Sequence, residues 1–567
     1  MLTLLAQLIA PPLQNSPVRL PAPAAIEQKP RTGGPGREPG LEVPASPSLA
    51  PPPPEGQPLP STTPAGRPPA APTPRIQGRS PYSPTQLRRI LAPCLSLADP
   101  DQRLSACAAI LTARLASDGY VNSRVYGLSS QAPGVLEVVL GRVAEVRVVG
   151  PDERLNRQAR RLLQPLVGGT LHLPSLDYSL QRLRDRPAIG SVKGSLVKLG
   201  SDISQAVLSV RVLPGRQPWH GDLSVRNEGS NGSGEGRLVG TLVKGDLATA
   251  GDTLLIYGEL NSDNNPSLGA AIGSLSYTLP LAEQLNLTGA FGYSRRNLIE
   301  LPAPQNNLAT NQLQGLGQLE WVLKDSLSQR WSVTAALSGS GSDTTFNNTP
   351  LPTSVPASVR TPRSGYLRLG VNGSGGAPGL GIGGTVYLLQ GLGFATPSDQ
   401  REELASVGIV AGEATAIGGL VSGAWGFAPS WQLLLRGGGQ VAFQPLTSPM
   451  QFSLGSDVGI RGLPGQLISG DSGWLGTGEV AWTFWQRPTT ALQLVPFLGA
   501  GGVTSSAGGF TFQDTVGATG VLVRWLQGAN WSAELGWVRS FQTNDNPGPW
   551  SDWLLGKGLY ARLQYRF

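Results

Sequence analysis

The chain has 567 residues, of which 14% are charged and 40% hydrophobic, with Gly 75 and Pro 50. It is too long for one ordinary domain and holds no apolar run of about 18 residues, which excludes a transmembrane helix. The net charge of +7 is dispersed rather than gathered into a patch, which argues against a nucleic-acid partner, and the mean hydropathy near zero fits a membrane barrel whose lumen-facing and lipid-facing residues cancel.

Residues 1–10 carry the apolar run of a secretory signal without its basic flank, and read either as a shortened signal peptide or as a short apolar tail. Residues 11–81 follow as a proline-rich linker; 23 of the 50 prolines fall between residues 11 and 84. Such a segment buries too little apolar area to offset its ordering entropy, so a tether is expected. A proline-rich recognition ligand around Pro51–Pro54 is the alternative, but few basic or aromatic anchors flank that run.

Composition changes at Tyr82. Leu104, Cys107, Ala108, Leu111 and Leu115 fall on one helical face that gives way at Gly119, and two strand-like runs follow, from Val121 to Tyr126 and from Val135 to Leu140. The order then repeats. A strand from Val143 to Val149 precedes a helical face of Leu155, Ala159, Leu162, Leu163 and Leu166, and another of Leu176, Leu180 and Leu183 that Pro187 closes. Strands from Ser191 to Leu199 and Ala206 to Leu213 complete the second set. Two small α+β modules, 82–141 and 142–215, are therefore expected. Cys94 and Cys107 are the only cysteines and should lie on consecutive helices of the first; they are either a disulfide, which would stabilise by about 3 kcal/mol, or two buried thiols.

Residues 216–567 read as a membrane β-barrel. In one run Trp219, Gly221, Leu223 and Val225 alternate with His220, Asp222, Ser224 and Arg226; similar runs start near Leu285, Trp331, Trp431 and Trp531. Aromatics stand at the ends of these apolar stripes, as an interfacial girdle requires, and turns rich in Gly, Asn, Asp and Pro separate them. At about 22 residues per strand and connection, the length gives roughly 16 antiparallel strands. The last nine residues put Leu559, Ala561, Leu563, Tyr565 and Phe567 on one face and Tyr560, Arg562, Gln564 and Arg566 on the other, so Arg562 and Arg566 are expected to face water.

No arrangement suggests an enzyme, a metal site or a cofactor. Gly379-Leu380-Gly381-Ile382-Gly383-Gly384 has the glycine spacing of a dinucleotide loop but leads into a strand, so a tight turn is expected. His172 and His220, the two histidines, are distant from each other and from the cysteines, and Glu402 and Glu403 are expected in a solvated loop. The most pointed segment is Phe452 to Pro464, glycine-rich, with a single Arg461 between Ile460 and Gly462. Were this loop to fold inward, its guanidinium would need a carboxylate on the wall, and Glu479 alternates against Val480 and Trp482 on the lumen side; an exposed loop with an incidental arginine is the other reading.

The linker, two α+β modules and barrel, with Ile460, Arg461, Gly462 and Leu463 in a late loop and Phe567 at the end, resemble the two-partner secretion outer-membrane transporters. These are of the hemolysin-activator and filamentous-hemagglutinin transporter type, in the Omp85 superfamily. The runs Gly119-Tyr120-Val121-Asn122-Ser123-Arg124, Leu140-Gly141-Arg142-Val143-Ala144-Glu145, Arg226-Asn227-Glu228-Gly229 and Gly470-Asp471-Ser472-Gly473 extend the likeness over about residues 82–567. The resemblance implies that the modules are polypeptide-transport-associated (POTRA) domains in the periplasm and that the arginine loop, after the eleventh strand, folds into the pore. It also implies that Leu563, Tyr565 and Phe567 form a signal read by the barrel-assembly machinery. The family's Phe-x-Asp strand maps to Phe497-Leu498-Gly499, where glycine replaces the acid, so Glu479 becomes the expected partner of Arg461. The function implied is export of an extended, unfolded partner protein across the outer membrane without nucleotide or cofactor; the alternative is an insertase for other outer-membrane barrels.

Overall fold

The computed structural model describes residues 41–42 and, between 73 and 567, all but 128–133, 185–188, 200–201, 203, 216–218, 250, 264–266, 283, 302–306, 326–328, 378, 508–509 and 545–547. The signal segment 1–10, most of the linker 11–81 and Pro187 lie outside the described residues. One compact unit contains Glu38–Pro218 and another contains Trp219–Phe567.

The first α+β module packs two helices on a three-stranded sheet in the order Arg75–Gly78, Val135–Val139, Arg124–Gly127. The start expected at residue 82 is corrected by this sheet, because Arg75–Gly78 pairs in parallel with Val135–Val139. Four residues directly after a proline-rich run are too few to show a period. The helix Pro84–Leu91 begins on a reciprocal cap: Ser83 Oγ accepts the Gln86 N–H, and Gln86 Oε1 accepts the Ser83 N–H. The next helix, Pro100–Ser117, is capped by Asp99 and buries the five residues whose spacing marked its face, Leu104 to Leu115. Cys94 and Cys107 are joined as a disulfide within this core.

In the second module, helices Glu153–Leu163 and Leu173–Arg184 cover a sheet ordered Leu41–Glu42, Ile189–Lys198, Gln205–Pro214, Arg142–Val149. Leu155, Ala159, Leu163, Leu176, Leu180 and Leu183 all point into its core. The outermost strand is a second departure from the expected linker. Leu41 and Glu42 pair in parallel with Gly194 and Ser195, a main-chain pairing that no side-chain pattern announces.

Trp219–Phe567 forms a closed 16-strand antiparallel barrel. Only a closed ladder pairs every backbone group in a solvent that offers no hydrogen bonds. Alternation sorts the two faces: Leu223, Val225, Leu287, Phe291, Leu337, Leu435 and Leu535 are exposed outside, whereas Ser224, Thr288, Ser294, Ser332 and Ser338 are buried inside. The first strand, Trp219–Arg226, closes on the last, Leu559–Arg566, through a short register that runs from Asp222 opposite Arg566 to Arg226 opposite Arg562. Strands meet in tight turns at the end where Trp219 enters, as between Trp431 and Ala428, and in long loops such as 392–414 and 443–471 at the other. Near the tight-turn end, Trp425, Phe427, Trp431, Trp482 and Phe484 touch ring to ring, as do Trp531, Tyr565 and Phe567. Such rings suit a membrane interface.

Gly379 occupies a turn at φ +80° and Leu380–Gly391 is a strand, so the glycine-rich run is a hairpin. Glu402 and Glu403, expected in a solvated loop, lie instead on the helix Ser398–Ser406. There Glu403 accepts the N–H groups of Ala357 at 3.0 Å and Ser358 at 2.7 Å, capping the short helix Ala357–Arg360.

Tyr82 ties the two helices of the first module together by donating its hydroxyl to Asp118 at 2.8 Å. Burial, then the bond to Asp118 and that carboxylate's charge, push the phenol up to about 12. Because the folded value exceeds the unfolded value of about 10, the bond's contribution is whole below that pH and is lost as pH rises through about 12. An ultraviolet difference titration of the native chain against Tyr82→Phe should show a midpoint near 12. A midpoint at the ordinary tyrosine value would remove this tie.

Candidate functional site

The loop 443–471 joins the eleventh and twelfth barrel strands, Trp431–Ala442 and Ser472–Arg487. Its stem is a hairpin of Phe452–Leu454 with Ile468–Gly470. Its tip is bound to itself: the Ser456 N–H donates to Pro464 O at 2.9 Å, Asp457 N–H to Gly465 O at 3.0 Å and Ile460 N–H to Gly455 O at 3.1 Å. This knot brings its own backbone partners, so it can sit among side chains without leaving amides unpaired.

The tip lies inside the barrel. Ile460 and Leu463 are fully buried in one apolar cluster with Phe497, Val538 and Tyr560 of the wall. Gly462, between them, has φ +83°, and a Cβ there would stand 2.4 Å from Val538 Cγ1. Glycine is therefore required twice over, by backbone conformation and by the closeness of the wall. The Gly462 N–H donates to Glu228 Oε1 at 3.0 Å.

Arg461 projects from this tip into a charged cluster. Nη1 donates to Glu534 Oε2 at 2.6 Å and to the Tyr560 hydroxyl at 2.7 Å, while Nε and Nη2 reach Glu479 Oε1 at 3.3 Å. Arg524 balances the second carboxylate: its Nε donates to Glu534 Oε1 at 2.7 Å, and its Nη2 lies 3.7 Å from Glu479 Oε2. Tyr560 also donates to Glu534 Oε2 at 3.0 Å. The guanidinium carbon stands 5.4 Å from the Tyr560 ring centre and 5.9 Å from that of Phe497. Two arginines and two glutamates thus neutralise one another in a half-dry setting, where removing one partner leaves a charge uncompensated.

The structure brings Glu479 to Arg461, but the nearer acid is Glu534, which sequence reasoning passed over. Its signal was present: in Trp531 to Trp537 it is the one acid at a lumen position between apolar neighbours. Gly499 has a steric account. A Cβ there would approach Thr477 Cγ2 to 3.0 Å and Ile460 Cγ2 to 3.3 Å, so an aspartate would crowd the loop residue that Gly499 accommodates. Also missed was the last long loop, whose Trp550, Trp553 and Leu555 join the apolar cluster of the arginine loop. Trp553 Nε1 donates to Glu300 Oε1 at 2.7 Å, and the Leu555 N–H to Glu235 Oε1 at 3.0 Å.

Leu563 and Phe567 are exposed on the lipid side, and Tyr565 lies between them in sequence, stacked on Phe567 and tilted against Trp531. Arg562 turns inward and donates to Gln564 Oε1 at 3.2 Å. His172 meets Ser175 at 2.9 Å and packs on Tyr120, while His220 lies on the first barrel strand. Among the described residues, no three His, Cys, Asp or Glu side chains are grouped to hold a metal.

A closed barrel of 16 strands with a charged loop folded inside, following α+β modules in the chain, defines an outer-membrane barrel of the Omp85 superfamily. More particularly, the chain belongs to the haemolysin secretion/activation protein family ShlB/FhaC/HecB, whose model matches residues 205–522. It is 25% identical over 395 residues to the outer membrane transporter CdiB of Dickeya dadantii (strain 3937). That match takes in 65% of this chain and 64% of the relative, less than two thirds of its length. In fold it is similar to CdiB from Escherichia coli, with a TM-score of 0.66, 17% identity and coverage of 87% of this chain and 89% of the other. CdiB from Acinetobacter baumannii gives a TM-score of 0.60 at 17% identity, covering 87% and 88%.

The geometry ranks the two wall acids. Glu534→Gln should free the tip more than Glu479→Gln, since Glu534 makes the shorter bonds and also engages Arg524 and Tyr560. Hydrogen exchange at the amides of Ile460 and Gly462 should be fastest in Glu534→Gln, slower in Glu479→Gln and slowest in the native chain. The reverse order of the two variants would contradict the ranking.

Proposed function

We propose that this chain exports a partner protein as an extended chain across the outer membrane, with the Arg461 loop as the gate of the barrel. The observation that carries this reading is a loop of the chain itself folded against the lumen wall and held there by ion pairs. An ion-paired anchor fixes position while adding little net stability over solvated charges, so the loop is held without being locked, whereas a permanent plug needs only apolar packing. Membership of a secretion and activation family supports export over insertion of other barrels into the membrane.

The two modules would stand in the periplasm and capture the client by strand addition, in which main-chain hydrogen bonds give affinity and side-chain pockets give selectivity. Their sheets offer edge strands for it, Arg124–Gly127 in the first and Arg142–Val149 in the second. Leu563, Tyr565 and Phe567 would be read by the barrel-assembly machinery before the protein reaches its lipid surroundings. The partners are therefore a secreted protein, that machinery and lipid. No step in this passage calls for a nucleotide.

Arg461→Ala is expected to leave the barrel assembled, as judged by heat-modifiable electrophoretic mobility, and to abolish appearance of the client outside the cell. Normal secretion by that variant would sink the gate. Depletion of the whole protein separates the two functions: loss of one secreted protein supports export, and general loss of outer-membrane barrels supports an insertase.

A further inference from the structure

The loop carries a second charge that the gate as described does not use. Asp457, in the turn Ser456–Val458, accepts from Arg237 Nη1 at 2.6 Å. Arg237 belongs to the second barrel strand, Gly236–Gly245; its side chain is 1% exposed, and its Nη2 donates to Glu259 Oε2 at 2.6 Å. Tyr257 donates to the same Glu259 oxygen. The loop backbone settles closely on this cluster. A Cβ on Gly465 would stand 2.6 Å from Arg237 Nη1, and the Gly465 N–H donates to Gly229 O at 2.8 Å.

The polarity is the reverse of that at Arg461. There the loop supplies the cation and the wall the acids; at Asp457 the loop supplies the acid and the wall the cation. The partners also come from opposite sides of the barrel closure. Glu534 and Tyr560 belong to its last two strands, Trp531–Gln542 and Leu559–Arg566, whereas Arg237 belongs to its second. Loss of either attachment therefore leaves the tip held from the other side. Arg237 keeps Glu259 when Asp457 departs, so the buried guanidinium is not left without a carboxylate when the loop is out.

We infer that Asp457 is a second positioning residue of the pore loop, a latch of polarity opposite to Arg461, and that the loop leaves the lumen only when both latches are broken. The inference rests on reading the loop as the gate.

The native chain, Asp457→Asn, Arg461→Gln and the double variant, each shown to be folded by heat-modifiable mobility, would be compared in planar lipid bilayers by the fraction of time the pore conducts ions. Each single variant should raise that fraction by less than about threefold, and the double variant should exceed either by more than about tenfold. A residue that merely stabilised the wall would act alike in both backgrounds; the dependence of Asp457→Asn on the state of Arg461 identifies a shared loop. If the double variant conducts no more than a conducting Arg461→Gln, or if Asp457→Asn alone opens the pore as far, the second latch is overturned and the gate stands. If even the double variant conducts no more than the native chain, the gate itself falls and the latch with it.

Discussion

A guanidinium carried into the interior of a barrel must find its counter-charges there, and the pore depends on how that is done. Arg461 reaches Glu534 and Glu479 on two strands, with Arg524 sharing both acids and Tyr560 bridging to Glu534. Such a cluster adds little net stability, because desolvation consumes most of the attraction, but it fixes position strongly. The loop is thus well placed without being immovable. Apolar contacts of Ile460 and Leu463 fill the space around the charges, and the left-handed Gly462 lets the tip approach Val538.

The wall that meets this loop is built by a second constraint, the two solvents of a membrane barrel. Each strand must send alternate residues to lipid and to the lumen, so an acid at position 534 between exposed Leu535 and half-buried Ala533 is forced inward. The same rule holds at the closure, where Leu563 and Val225 face outward as a pair and Gln564 and Ser224 inward. Loop and wall therefore meet by register: Glu534 lies directly across from Arg524 on one side and from Arg562 on the other.

Much of this was legible in the sequence because it is written in local periods. The alternation from Trp219 to Arg226, the helical face from Leu104 to Leu115 and the tight turn at Gly379 each need only a few neighbouring residues to be read. Glu479 could be named as a partner because alternation puts it on the lumen side. What escaped was non-local. Glu534 and Arg461 are separated by 73 residues, and Asp457 and Arg237 by 220, so their pairing depends on strand order and stagger around a closed barrel, which no window contains. Arg75–Gly78 and Leu41–Glu42 escaped for another reason: short strands joined by main-chain bonds leave no mark in a proline-rich segment.

The central claim is that the loop must move for a client to pass, and a reversible tether tests it most directly. Gly499 and Ile460 lie close enough, with a Cβ at Gly499 standing 3.3 Å from Ile460 Cγ2, for Ile460→Cys and Gly499→Cys to form a disulfide between loop and wall. Secretion of the client would be measured in that variant before and after adding reductant, with the native chain under the same reductant as reference for the Cys94–Cys107 bridge. Secretion should stop when the tether is closed and return when it is cut. Undiminished secretion through a barrel whose tether is fully formed would contradict the account.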